Sequence, residues 1–86
     1  VAQEFARLAG GAAALAERAQ AIAEKGDLRL ACHLADYALE AAPGDTQVND
    51  IVARIYEQRA ASETSLMAID LFRSAAAYAR AGRPFV

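Results

Sequence analysis

The sequence predicts an all-α fold of four to five short antiparallel helices. Three observations carry that expectation. Apolar residues recur at spacings of three and four in segment after segment, the mark of helices buried on one side. Glycine, aspartate and proline interrupt the pattern at about helix-length intervals, where caps and stops belong. Val and Ile are scattered rather than gathered into short β-rich runs, so nothing reads as a strand.

Residues 1–9 (VAQEFARLA) carry Phe5 and Leu8, with Ala2 and Ala9 nearby. They read as a short helix or the end of a linker, broken by Gly10-Gly11. That pair lacks the further glycines and the lysine of a phosphate loop, so it reads as a turn. Residues 12–25 form the next helix. Leu15, Ala19, Ile22 and Ala23 share one side, and Glu17, Arg18, Glu24 and Lys25 face water.

The stretch 26–43, GDLRLACHLADYALEAAP, organises the rest. Gly26 suits the end of one helix and Asp27 the cap of the next. Leu28, Ala31, Ala35, Ala38 and Ala42 form a stripe that Leu34 and Leu39 widen. Pro43 pushes the residue before it out of α geometry and closes the helix. Small residues on the contact face allow a close approach by neighbours, which makes this the central helix of a packed array.

Pro43-Gly44-Asp45 is a turn, with Asp45 placed to cap a helix over 46–61. Val48, Ile51, Val52 and Ile55 are its core side, with Tyr56 at the edge. Asn49, Asp50, Arg54, Glu57 and Gln58 fill the other side. Thr64 or Ser65 caps a last helix over about 66–81, which Gly82 stops and Pro84 bars from continuing. Leu66, Ile69, Phe72 and Ala76 make one apolar line on it, and Met67, Leu71, Ala75 and Tyr78 a second. An arc that wide is buried on more than one side. Either the helix sits inside the bundle, or one line packs inward and the other meets another chain.

Composition bounds the function. In 86 residues a core is marginal when it stands alone. Hydrophobic residues are 56% of the chain, but 24 residues are alanine, so bulky apolar side chains are few and a partner surface is expected to add stability. A net charge of −2 argues against a nucleic-acid binder. No apolar run approaches the roughly 20 residues of a membrane span, so no membrane insertion is expected. The single cysteine excludes an internal disulfide and fits a reducing compartment. A chain that opens at Val1 without a Met is expected to be a piece of something longer.

No catalytic or metal-binding set is legible. His33 and Cys32 are the sole residues of their kinds, and adjacent helical residues point about 100° apart, so they do not share a metal easily. Cys32 has no second histidine as a base. Asp36 follows His33 by three and could bond to it. Asp36 and Glu40 share a face, but no pocket separates their pKa values for acid–base work. Arg54, Arg59, Arg73, Arg80 and Arg83 are spread along two helices and a tail, as solvated faces or interface salt bridges.

Gly26, Ala31, Ala38 and Pro43 resemble the second helix of a tetratricopeptide repeat, so tetratricopeptide-like helical hairpins are expected. Only one full unit is visible, and a solenoid needs about three. A resemblance over nearly the whole chain runs through LAGGAAAL (8–15), EKGDLRLACHLADYAL (24–39), AAPGDTQV (41–48) and ETSLMAIDLFRSAAAY (63–78). It is to the alkyl sulfatase dimerisation domain, the helical middle segment of class III alkyl sulfatases and related metallo-β-lactamase-fold hydrolases. Gly10, Gly11, Gly26, Asp27, Arg29, Ala31, Leu34, Ala35, Pro43, Thr64, Ser65 and Ala76 carry it. Leu28 and Leu30 stand where the family often has aromatic residues, and Asp70, Leu71 and Phe72 where it often has Asn and aromatics.

The resemblance implies that residues 1–86 are a single dimerisation domain of a larger hydrolase, with no catalytic residue, metal or cofactor of its own. Its partners would be a second copy and the parent's catalytic domain. That upstream domain would hold two zinc ions through a His-rich motif and hydrolyse a sulfate ester. A downstream lipid-carrier-like domain would handle the alkyl chain. The bacterial cytoplasm and the periplasm are both compatible compartments. The candidate interface is Leu66, Met67, Leu71, Phe72, Ala75 and Tyr78. The alternative is a tetratricopeptide-like adaptor that binds a peptide or protein partner. A His-x-His-x-Asp-His run upstream would favour the hydrolase, and further helical repeats the adaptor.

Overall fold

A computed structural model describes residues 2–8 and 10–83, apart from the side chains of Phe5 and Ala6. The expectations placed on Ala9, on Pro84 and on the Phe5 side chain lie outside the described residues. Five helices follow one another: α1 (Ala2–Leu8), α2 (Ala12–Glu24), α3 (Leu28–Ala41), α4 (Thr46–Ser62) and α5 (Leu66–Arg80). Among the described residues there is no strand. No helix is long and apolar enough to cross a membrane.

The boundaries have local causes. At the end of α2 the Gly26 amide bonds the Ala23 carbonyl at 2.9 Å, and the Asp27 amide reaches back to Ile22 at 3.3 Å. That pair of bonds needs a left-handed residue between them, and Gly26 supplies it at φ +97°. Asp27 then caps α3, its carboxylate accepting from the Leu30 amide at 3.2 Å. Asp45 caps α4 by accepting from Gln47 and Val48, at 3.0 and 3.2 Å. Of the two candidates for the last cap it is Ser65 that accepts, from the Ala68 amide at 3.4 Å. Each such cap contributes about 1 kcal/mol.

The core is built largely of alanine. Ala16, Ala19 and Ala23 of α2 face Ala31, Ala35 and Ala38 of α3, with Ala53 of α4 and Ala76 and Ala79 of α5 completing it. Bulk comes from Leu39, Val48, Val52 and Ile55, all fully buried. Burying each of these contributes about 1.5–3 kcal/mol. α2 packs on α3 and α4 on α5 most extensively, and α4 also touches both α2 and α3. The links between these helices are three or four residues long, so consecutive helices turn back on each other.

Of the placements left open for α5, the middle of the bundle is not the one adopted: α5 packs chiefly on α4. One expectation needs correction. Asn49 is not on the polar side of α4 but is buried, at 6% exposure. Its Nδ2 donates to the Pro43 carbonyl at 3.0 Å, while its Oδ1 has no partner among the described residues. Gly82 lies against that same carbonyl, so the end of α5 rests on the α3–α4 turn.

A candidate association surface on the last helix

The sequence of α5 divides its faces. Ala75, Ala76 and Ala79 are buried, where small side chains let α5 lie close on α4. The opposite side exposes large apolar groups: Leu66 at 73%, Met67 at 83%, Leu71 at 47% and Tyr78 at 40%. Of the six candidate interface residues, these four point outward. Phe72 is half-buried, stacked on Tyr56 with ring centroids 6.3 Å apart. Ala75 is inside. The reason is geometric: each four-residue step turns about 40° round the helix, so Met67–Leu71–Ala75 rotates toward α4. Met67, Leu71, Ser74 and Tyr78 alternate steps of four and three and stay within about 60° of one another.

Beside this stripe lies an open recess of about 480 Å³, lined by Ser65, Met67, Ala68, Asp70, Leu71 and Ser74. At the other end, the Arg83 guanidinium sits 5.3 Å from the centre of the Tyr78 ring. The Arg83 amide bonds the Tyr78 carbonyl at 2.9 Å, which holds the two residues together. A second open recess, about 470 Å³, is bounded by Asp27, Arg29, Leu30 and His33. Its charges have both signs, and Leu30 is the one large apolar group it exposes.

Sequence spacing did not reveal a cluster joining α3, α4 and α5. Tyr56 donates to Asp36 at 2.7 Å, and the Arg59 guanidinium lies 4.4 Å from the centre of the Phe72 ring. Asp36 therefore bonds across to α4. His33 instead meets Tyr37 edge-on, with centroids 5.0 Å apart. Burial raises the Asp36 carboxyl, and the Tyr56 hydrogen bond opposes that rise. Burial, then the Asp36 bond, raises the Tyr56 phenol. Burial also raises the Cys32 thiol, with Arg59 opposing. A buried thiol and a buried phenol held protonated at neutral pH are poor nucleophiles. The cluster reads as a packing element.

The arginines divide by setting. Arg54 pairs with Asp50 along α4. Arg80 bonds both oxygens of Glu57 at 2.7 and 3.0 Å, linking α5 to α4. Arg59 and Arg83 lie on aromatic rings. Among the described residues no three His, Cys, Asp or Glu side chains converge as a metal site would require.

What stands out is a helical array with an apolar stripe on its terminal helix. Comparison with curated proteins and with solved structures gave no match. The sequence model for alkyl sulfatase dimerisation matches residues 1–82. The chain belongs to the alkyl sulfatase dimerisation family.

Proposed function

We propose that residues 1–86 act as one homodimerisation module, non-catalytic in itself, of an alkyl sulfatase-like hydrolase with a metallo-β-lactamase fold. The observation that carries this reading is the exposed Met67–Leu71–Tyr78 stripe on a helix whose other face is already packed. Apolar side chains lined up on one helix side gain by leaving water together, and Met and Tyr are favoured at the centres of such contacts. The modest supply of bulky core residues supports the same reading, since a second copy adds the burial a small alanine-rich core lacks. Zinc belongs in this reading to the parent's catalytic domain. There it would serve hydrolysis of a sulfate ester, and this module would contact that domain as well as its own copy.

The tetratricopeptide-like adaptor keeps one observation in its favour: α4 packs on both α2 and α3, as stacked helical hairpins do. Sedimentation velocity on the 86-residue chain from about 1 to 100 µM distinguishes the two readings. A concentration-dependent dimer, weakened about tenfold or more by Leu71→Glu, is expected. A chain that stays monomeric across that range would overturn the dimer reading.

A further inference from the structure

Resting on that self-association reading, we propose that two copies pair through α5 in antiparallel order, about a two-fold axis passing near Leu71 and Ser74. Met67, Leu71, Ser74 and Tyr78 have the four–three–four spacing of a seam between two helices. The two ends of that seam differ. The N-terminal end is the recess lined by Ser65, Met67, Ala68, Asp70, Leu71 and Ser74. The C-terminal end carries Tyr78, 40% exposed, with the Arg83 guanidinium over its ring. Eleven residues, or about 16 Å of helix, separate Met67 from Tyr78, so one α5 does not place its own Tyr78 in its recess.

A two-fold axis across the seam does this twice. Tyr78 of each copy meets Met67 and the recess of the other, and Leu71 meets Ser74, where a small residue lets the helices close. A parallel pair would set recess on recess and Arg83 against Arg83. Charge points the same way. Asp70 lines the recess, and Arg83 enters with Tyr78, so each end of the seam brings opposite charges together. Antiparallel helix dipoles add to this preference. One helix carries both a negative end and its positive complement, which is what a contact between identical copies requires. That is the ground for choosing a second copy of this chain as the occupant.

The test exchanges the charges in the 86-residue chain. Asp70→Arg and Arg83→Glu are prepared separately, then mixed in equal amounts, with dimerisation read by sedimentation. Each variant alone sets like charges together at both ends of its seam and associates about tenfold or more weakly than the unaltered chain. The mixture restores attraction at both ends of the mixed dimer and associates almost as tightly as the unaltered chain. Single variants that associate normally, or a mixture as weak as its components, would overturn the antiparallel seam and leave self-association standing. A monomeric unaltered chain would overturn the self-association reading itself. Both side chains are exposed and neither caps a helix, and circular dichroism checks that the helices persist. Should a charge variant lose its fold, Tyr78→Ala gives a second readout. Removing the Tyr78 ring weakens the dimer about tenfold, and unchanged association would overturn the seam.

Discussion

The Tyr56 hydroxyl donates to the Asp36 carboxylate across 2.7 Å, twenty residues away in sequence, and so fastens α4 to α3. Tyr56→Phe removes this one hydrogen bond and is expected to cost about 1 kcal/mol, read as a lower urea midpoint with the slope unchanged.

Titration should show two groups acting in opposite directions. Burial raises the Asp36 carboxyl, so the folded chain holds that proton more tightly than the unfolded one. Asp36 therefore makes the fold more stable as pH falls through its raised value, and less stable as pH rises through it. The Arg80 hydrogen bonds lower the Glu57 carboxyl. Its contribution is present above the ordinary carboxylate value and is lost as pH falls through the lowered one. Glu57 and Arg80 are well exposed, so the effect of that pair is small, up to about 1 kcal/mol. Asp36→Asn is expected to flatten stability in the mildly acidic range, and Glu57→Gln below it, by thermal melts across pH. A Glu57→Gln melt that tracks the unaltered chain at every pH would show that the Arg80 pair contributes nothing.

Gly82 has φ +71° and rests on the Pro43 carbonyl oxygen. A methyl group at 82 is strained twice, by the backbone conformation and by collision with backbone that the Asn49 bond holds in place. Gly82→Ala is expected to cost about 2–3 kcal/mol, well above the cost of an ordinary surface substitution. Denaturant unfolding measures it.

Close helix packing makes alanine size-critical at some positions and irrelevant at others. Ala35 is fully buried between helices, whereas Ala21 is exposed on α2. Ala35→Leu is expected to destabilise by about 1–3 kcal/mol through overpacking, and Ala21→Leu to stay within about 0.5 kcal/mol. Equal melting temperatures for the two variants would contradict this account of the core.

The sequence by itself determined the four longer helices and, to within a residue or so, their ends, because those depend on neighbours a few residues away; residues 1–9 it left as a short helix or the end of a linker. Asp27 and Asp45 cap because a carboxylate reaches the amides two or three residues on. The three/four spacing likewise marked Leu15, Ala31, Ala35, Ala38, Val48, Ile51, Val52 and Ile55 as core, since one helix face is enough to define that stripe. The residues that carry the family resemblance were legible for the same local reason. Tertiary structure alone decided which way the second apolar line of α5 faces. Periodicity says that a helix has two apolar sides but not how many neighbours it has, and α5 has essentially one. It alone buried Asn49, whose polar side chain is accommodated because the Pro43 carbonyl is brought to it by the turn before α4. It alone joined Asp36 to Tyr56 and set Gly82 on Pro43, contacts between distant parts of the chain that no local spacing encodes.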